Sequence, residues 1–312
     1  MQQVKSPTAL RRRLNARVVA AYTAIYVVWG STFLALRYAV ESIPPLLLIG
    51  LRSGIAGALL FVWVALRGEA RLAWRHWRIA AIGGACFFVL CHGSLAWAEQ
   101  HVSSGLAAVI LALIPVWVVV LDWLRPGGTR PSRPTLVGML LGFAGLVVLI
   151  GPDILTSGAS VNVLASLVLV GSALAWATGS IASRYTALDV SPTALSAMQL
   201  LWGGGILLLG GTLSGEWNTL LSNTITSRAV LSLVYLVVVG SLLTFSAYIW
   251  LLRVSSPTRV ATYAYVNPVI AVALGWAVGG EMLTAQSLLA GACIVLAVAI
   301  IITAQGQQPA TP

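Results

Sequence analysis

Residues 29–38 read WGSTFLALRY, and 147 positions later residues 176–185 read WATGSIASRY. The same offset aligns a proline and a glycine that follow, and later in the chain further pairs align at an offset of 153. The aligned pairs are Trp29 and Trp176, Arg37 and Arg184, Tyr38 and Tyr185, Pro45 and Pro192, Gly57 and Gly204, Trp97 and Trp250, Pro115 and Pro268, and Gly138 and Gly291. This self-similarity indicates an internal repeat that covers most of the chain.

The composition of both copies is that of a membrane protein. The chain is 59% apolar and only 8% charged, with a mean hydropathy of +0.93, whereas soluble proteins are about 25% charged. A spanning helix needs about 20 mostly apolar residues, and the long apolar runs favour helices over the alternating strands of a barrel. The predicted all-α, polytopic fold has ten spans, at 18–38, 45–66, 79–98, 104–124, 134–151, 162–183, 192–213, 229–252, 258–278 and 284–303.

Each copy of the repeat contains five predicted spans. Because five is odd, the two copies must cross the membrane in opposite directions, which makes them inverted repeats. We therefore predict a basic tail at 1–17, a five-helix repeat at 18–151, a second and inverted five-helix repeat at 162–303, and a C-terminal tail at 304–312. Inverted repeats of this kind are typical of secondary transporters.

Basic residues are distributed unevenly between the two sets of predicted loops. If the N-terminus is cytoplasmic, fifteen Lys and Arg residues lie on the cytoplasmic side and only Arg228 lies in an outer loop. This bias predicts that both termini are cytoplasmic. The topology and anionic membrane lipid together explain the net charge of +10, so lipid is an expected partner and nucleic acid is not.

Two prolines fall at matching positions near the middle of the fourth and ninth predicted spans. Pro115 and Pro268 would each remove a backbone hydrogen bond, to the carbonyl groups of Leu111 and Ala264 respectively. In hydrocarbon such carbonyl groups need other partners or a hydrated cavity. Asn267, directly before the second proline, favours a binding site at mid-membrane depth. The alternative is that both prolines only bend their helices for packing.

Side chains with an aromatic ring or a polar atom occur deep in several predicted spans. Any one of them could be a packed core residue, and His92 could bind a substrate, carry protons or satisfy a neighbouring carbonyl group. As a set they suit the wall of a cavity for a partly apolar organic molecule. The predicted lining residues are Trp29, Thr32, His92, Trp117, Trp176, Tyr248, Tyr263 and Asn267.

Ionisable residues inside a membrane are functional candidates because their insertion costs about 2.5–3.5 kcal/mol at the helix centre. Arg37, Arg52 and Glu99 form a predicted polar cluster towards the outer side, where salt bridges and other structural roles are the alternative to substrate binding. No Asp or Glu lies at the midplane of a predicted span. This absence favours facilitated movement, or weak proton coupling through His92 or Glu99.

Motifs of enzymes and of cofactor sites are missing from the sequence. It contains no GxxxxGK[ST] phosphate loop, HExxH, CxxC or GxSxG motif. Cys86, Cys91 and Cys293 all fall inside predicted spans and are interpreted as core residues rather than as metal ligands. We therefore expect no catalytic site, metal or cofactor.

Several motifs together resemble the EamA type of transporter, the ten-helix branch of the drug/metabolite transporter superfamily. They are WGSTF at 29–33, PP at 44–45 followed by Arg52, SSGLAA at 103–108 leading to Pro115, and VSSP at 254–257 leading to YVNP at 265–268 and GE at 280–281. The resemblance covers about residues 18–303. It implies two inverted five-helix repeats and export of metabolites from the bacterial cytoplasm. The chain looks most similar to inner-membrane exporters of amino acids, including aromatic ones.

We therefore expect a monomeric inner-membrane exporter that moves neutral or aromatic amino acids by alternating access. The first alternative is a carrier of another metabolite or of a drug-like compound. A cation carrier would be expected to have a deep carboxylate, and a carrier of phosphorylated compounds would need several cavity Arg or Lys residues. The second alternative is a membrane enzyme or subunit without transport activity.

Overall fold

The computed structural model describes residues 7–69, 72–98, 101, 110–128, 130–156, 162–186, 189–279 and 285–306. These residues form helices and turns and contain no strand, which confirms the all-α class for this part of the chain. The elements are α1 Pro7–Thr23, π1 Ala24–Val28, α2 Trp29–Val40, α3 Pro45–Leu66, α4 Trp74–Gly84, π2 Ala85–Gly93, α5 Ser94–Ala98, α6 Ile114–Leu124, α7 Arg133–Thr156, α8 Val163–Tyr185, α9 Pro192–Leu213, α10 Glu216–Ser222, α11 Ser227–Tyr235, π3 Leu236–Phe245, α12 Ser246–Val254, α13 Pro257–Ala261, α14 Tyr263–Gly279 and α15 Ala285–Gly306.

Six stretches of helix in the described residues are long and apolar enough to cross a membrane. They are Asn15–Val40, Pro45–Leu66, Trp74–Ala98, Val163–Tyr185, Pro192–Leu213 and Ser227–Val254, and each overlaps a predicted span. Shorter apolar helices lie at Ile114–Leu124, Arg133–Val148 and Leu288–Ala304. The predicted span at 104–124 begins in residues that are not described. The structure is therefore that of a helical membrane protein, and the count of ten spans stays a prediction.

Side-chain caps define where several of these helices begin. Ser191 accepts a hydrogen bond from the backbone N–H of Ala194, and Pro192 follows it in the first turn of α9. At the aligned position in the first copy, α3 also begins with a proline, Pro45. Proline suits this position because the first turn of a helix needs no N–H donor. The sequence therefore specifies the same start for both helices.

Three of the spanning helices contain a π-helical segment in their middle. The segments π1, π2 and π3 interrupt the stretches 15–40, 74–98 and 227–254. When π2 is shifted by the 153-residue offset, it overlaps π3. A π-helical turn places an additional residue in the helix and often marks a functional site. All three segments supply residues to the interior of the bundle.

Helices α3 and α9 approach each other closely because glycine residues line their contact. A Cβ atom added to Gly57 would lie 2.8 Å from the backbone nitrogen of Leu201, so this contact requires glycine. Small residues allow such close backbone packing in a membrane, where apolar burial gives helices little reason to associate. Helices α7 and α15 also pack together, and an added Cβ on Gly138 would lie 2.7 Å from the side chain of Ile301.

The loops rich in basic residues lie at one end of the bundle. Arg75, in the first turn of α4, and Asp189, in the loop between α8 and α9, form an ion pair of 3.2 Å, and Arg253 donates a 2.7 Å hydrogen bond to the carbonyl group of Val190 in the same loop. At the opposite end, Glu216 accepts a 2.8 Å hydrogen bond from the backbone nitrogen of Leu47. We call the end of the bundle that contains Arg75, Asp189 and Arg253 the basic end of the protein.

Candidate functional site

Four aromatic side chains from four separate helices meet in the interior. Trp29 lies at the start of α2, Trp176 in α8, Tyr248 in α12 and Tyr263 at the start of α14. The ring centroid of Trp29 lies 4.8 Å from that of Tyr263, 5.1 Å from that of Tyr248 and 5.7 Å from that of Trp176. All four side chains are buried. We call these four residues, each of them a predicted lining residue, the ring cluster.

A second layer of rings extends the ring cluster towards π2 and π3. Phe87 lies 4.8 Å from Trp176, and His92 lies 5.2 Å from the same ring. Phe88 contacts both His92, at 5.6 Å, and Phe245, at 5.1 Å. The sequence prediction included His92 but missed the three phenylalanines, because it selected side chains with polar atoms. The repeat could have revealed Phe245, which aligns with His92 at the offset of 153.

The polar atoms of the ring cluster bind one another and the backbone. Trp176 Nε1 donates to the hydroxyl group of Tyr248 at 3.0 Å, and that hydroxyl lies 2.5 Å from Ser180 Oγ. Ser180 Oγ in turn donates to the carbonyl group of Trp176 at 2.7 Å, so the Tyr248 hydroxyl donates to Ser180. Trp29 Nε1 donates to the carbonyl group of Gly240 in π3 at 3.1 Å. These bonds fix the orientation of the rings.

Arg52 is connected to the ring cluster through Gly240 and Ser241 of π3. Its Nε donates to Ser241 Oγ at 2.7 Å, and the side chain is only 9% exposed. A Cβ atom added to Gly240 would lie 3.2 Å from Arg52 Nη2 and 3.2 Å from Cγ2 of Thr32. Thr32 itself donates to the carbonyl group of Trp29 at 2.7 Å. Arg52, Thr32 and Trp29 therefore all meet at Gly240.

The side chains of the other two residues of the predicted outer cluster, Arg37 and Glu99, lie outside what the structure describes. Glu99 lies outside the described residues. Arg37 belongs to α2, but its side chain is also outside the described part. Among the residues that the structure does describe, Arg52 forms no ion pair. The predicted grouping of these three residues stays a prediction.

Asn267 joins α14 to the π-helical segment of the first span. With its amide oriented so that the nitrogen faces acceptors, its two N–H groups are shared among the carbonyl groups of Tyr263 at 3.1 Å, Ile25 at 3.2 Å and Tyr26 at 3.1 Å. Its side chain is buried. The amide nitrogen therefore satisfies backbone acceptors, two of them in π1, where the helical hydrogen-bond pattern changes.

The two aligned prolines occupy different helical positions. Pro268 lies inside α14, as the sequence predicted. Pro115 lies in the first turn of α6, which begins at Ile114, and there a missing N–H group leaves no helical bond unmade. A turn at residues 112–113 directly precedes α6, and the role of Pro115 as a helix break for gating stays a prediction. Trp117, two residues later, packs against the central core, but its buried Nε1 has no hydrogen-bond partner in the described structure.

Hydrogen bonds between pairs of hydroxyl groups connect the first spanning stretch, residues 15–40, to later helices on both sides of the ring cluster. Two of these contacts reach the link between α12 and α14 near the basic end, and one reaches the end of α11. The hydroxyl pairs are Tyr22 with Ser255 at 2.7 Å, Tyr26 with Thr262 at 2.6 Å, and Ser31 with Tyr235 at 2.6 Å. Any movement of residues 15–40 relative to α11–α14 must therefore break these three hydrogen bonds.

A pocket of about 410 Å³ lies away from the ring cluster. It is bounded by α3, the start of α9, π3 and α12, and exposed apolar side chains such as Leu59, Trp63 and Leu243 line it. Its position on the outer, apolar surface of the bundle marks it as a groove that faces lipid. In this conformation the four rings of the ring cluster, which were predicted to line a cavity, contact one another directly.

The helices and the buried site together define a polytopic helical membrane protein with an aromatic interior. The EamA-like transporter family matches the chain twice, over residues 18–151 and 163–303. The chain belongs to the EamA-like transporter family, and it is a membrane transporter of that type within the drug/metabolite transporter superfamily.

Individual relatives agree with this assignment. The inner membrane transporter YedA of Escherichia coli (strain K12) is 34% identical over 97% of this chain and 96% of its own length. A protein of Salmonella typhimurium named "Probable amino-acid metabolite efflux pump" is 26% identical over 88% of this chain and 90% of its own. A solved crystal structure with 23% identity superposes with a TM-score of 0.78 over 94% of this chain and 99% of the other, which shows a shared fold.

Proposed function

We propose that the protein exports neutral and aromatic amino acids from the cytoplasm across the inner membrane. The observation that carries this proposal is the ring cluster, in which four buried aromatic side chains from separate helices meet beside Arg52 and His92. Aromatic walls with a few fixed polar atoms suit a small molecule with an apolar side chain and a polar head. The name of the Salmonella typhimurium relative supports the same class of substrate.

Transport requires the ring cluster to open alternately towards the two sides of the membrane. In the present conformation Trp29 contacts Trp176, Tyr248 and Tyr263 directly, so a substrate must separate these rings to enter. The hydroxyl pairs of Tyr22 and Tyr26 would then break whenever the basic end opens. Hydroxyl pairs suit this role because each adds only about 0.5–1.5 kcal/mol to stability.

The architecture that we propose is a monomer of ten spans in two inverted five-helix repeats, 18–151 and 162–303, with both termini in the cytoplasm. The aligned π2 and π3 segments support the repeat, as do the aligned proline starts of α3 and α9. The close pairing of α3 with α9 and of α7 with α15 also joins aligned helices from the two copies. The basic end would face the cytoplasm.

The experiment that tests the function is flux through proteoliposomes that contain only this protein. Radiolabelled phenylalanine, tryptophan, threonine and methionine would be measured with and without a pH gradient. We expect uptake above that of empty liposomes for at least the aromatic substrates, and loss of that uptake in Trp176→Ala. If wild-type protein moves none of the four, the proposed substrate class is wrong. Stimulation by the gradient would show proton coupling, and its absence would show facilitated movement.

A further inference from the structure

Arg52 carries a positive charge in the interior without a counter-ion among the described residues. Only 9% of the residue is exposed, and its single hydrogen bond in this part of the structure joins Nε to Ser241 Oγ. Its Nη1 and Nη2 atoms therefore have no protein acceptor there. A buried charge is normally paired, because removal from water is costly unless a partner compensates it. Arg52 therefore has the capacity to bind an anion.

The Nη2 edge of this guanidinium group lies at Gly240, a residue that is also bonded to the ring cluster. Its Nη2 lies next to Gly240, whose carbonyl group accepts the hydrogen bond from Trp29 Nε1. Because Gly240 has no side chain, nothing from that residue covers Nη2. An anionic group bound to Arg52 would therefore place the rest of its molecule against aromatic rings.

The aligned position in the second copy carries a buried polar residue without a charge. Gln199 aligns with Arg52 at the 147-residue offset, is also buried, and donates a 2.9 Å hydrogen bond to Ser183 Oγ. That position of α9 thus holds a neutral amide with a serine partner for its nitrogen, while Gln199 Oε1 has no partner in the described structure. The guanidinium of Arg52 is an additional feature of the first copy, and a function in ligand binding explains why only one copy has it.

We infer that Arg52 binds the carboxylate group of the transported substrate, and that Ser241 positions the guanidinium for this contact. The inference rests on the proposed function, because it assigns one part of the proposed amino-acid substrate. The planar guanidinium can donate two parallel hydrogen bonds to a carboxylate, which a lysine cannot do. The two N–H groups of the Asn267 amide are already directed at backbone carbonyl groups, so they are not available for this role.

The test compares three ligands that share a phenyl ring but differ in their charged groups. Binding of phenylalanine, phenylacetate and phenethylamine to purified protein would be measured by isothermal titration calorimetry for wild type, Arg52→Gln and Arg52→Lys. We expect Arg52→Gln to weaken the binding of the two carboxylate ligands, phenylalanine and phenylacetate, by about tenfold or more and to leave the binding of phenethylamine unchanged. Arg52→Lys should bind the carboxylate ligands more weakly than wild type but more tightly than Arg52→Gln does, because lysine keeps the charge and loses the two parallel hydrogen bonds.

Two further variants separate this role from a structural one. Arg228→Gln removes an exposed arginine that stacks on Tyr38 and should bind all three ligands as wild type does. Ser241→Ala keeps the charge and should weaken the carboxylate ligands selectively, which provides the test if Arg52→Gln fails to fold. Equal loss of all three ligands in the Arg52 and Ser241 variants, or unchanged binding of phenylacetate, would overturn the inference.

Measured flux distinguishes failure of the inference from failure of the proposed function. If the carboxylate ligands bind through Arg52 but no amino acid crosses the membrane, the inference stands and the export function is wrong. If amino acids are transported and Arg52→Gln transports them as wild type does, export stands and the assignment of Arg52 is wrong.

Discussion

At the scale of single residues, Tyr248 connects the polar atoms of the ring cluster. Its hydroxyl group accepts from Trp176 Nε1 and donates to Ser180, while its ring contacts Trp29 and Tyr263. A buried hydroxyl that both accepts and donates has its hydrogen-bonding capacity used on two sides. Tyr248 thus fixes the orientation of Trp176, whose ring also contacts His92 and Phe87.

Replacement of Tyr248 by phenylalanine tests this hydrogen-bond chain. The change keeps the ring but leaves the Trp176 indole N–H without its acceptor, so we expect Tyr248→Phe to lower the free energy of unfolding by about 1–3 kcal/mol. Thermal unfolding of the purified protein in detergent would measure it. Tyr38→Phe is the control, because the Tyr38 hydroxyl makes no hydrogen bond in the described structure. Equal midpoints for both variants would contradict the role of Tyr248.

Asn267 provides a second test at this scale. Asn267→Asp replaces the N–H donors by oxygen atoms that face the carbonyl groups of Ile25 and Tyr26, so it should destabilise the protein more than Asn267→Ala. For the alanine variant we expect a loss of about 1–3 kcal/mol, from carbonyl groups left without a donor. The exposed Asn218→Asp serves as the control for the chemical change. An Asn267→Asp variant as stable as wild type would show that the amide does not serve these carbonyl groups.

At the scale of elements, the π-helical segments and the glycine contacts have opposite effects on the rigidity of the bundle. The segments π1, π2 and π3 change the helical register next to the ring cluster, which makes local rearrangement easier. The contact between α3 and α9 is tight, because glycine residues bring the backbones together. The irregular interior segments are thus held by a close helix pair.

The tightness of that helix pair can be measured with two glycine variants. Gly57→Ala would place a Cβ atom 2.8 Å from the backbone nitrogen of Leu201, and we expect overpacking to cost about 1–3 kcal/mol. Gly205→Ala, on α9, meets no atom within 4 Å and should be neutral or stabilising by up to about 1 kcal/mol. Thermal unfolding of both variants would measure these changes in stability. A Gly57→Ala variant as stable as wild type would refute the close contact between α3 and α9.

At the scale of the whole molecule, the two ends of the bundle differ in charge. At the basic end, Arg75, Arg184 and Arg253 join helix ends to neighbouring segments, whereas at the other end Glu216 accepts a hydrogen bond from the start of α3. This difference predicts the orientation in the membrane, with the basic end in the cytoplasm, because positively charged loops tend to stay on that side.

Cysteine labelling tests this orientation. In a background in which Cys86, Cys91 and Cys293 are replaced by alanine, we expect Asp189→Cys to react with a membrane-impermeant thiol reagent only from the cytoplasmic side. Asn223→Cys, at the opposite end, should react only from the outside. Both single variants would be compared in whole cells and in inside-out vesicles. Reaction of both positions from the same side would contradict the arrangement of loops in the fold.

The aligned residues differ in how far their positions along the chain predict their contacts. The positions of Trp29 and Trp176 predicted a shared interior site, and the structure brings their rings to 5.7 Å. Phe87 and Phe88 could not be recognised in this way, because an apolar ring in an apolar span looks the same whether it faces lipid or the interior. Pro115 was assigned to the middle of a helix, since hydropathy continues across the turn that precedes α6.

What the sequence determined by itself is the membrane environment, the helical class, the repeat and the grouping of basic loops, because each depends on composition and spacing along the chain. Only the tertiary structure decided that Arg52 lies at Gly240 beside Trp29, that Asn267 serves the carbonyl groups of π1, and which rings meet. These contacts join residues far apart in the chain, and the rotation of each helix about its axis sets them. In a uniformly apolar helix, the residue pattern specifies that rotation only weakly.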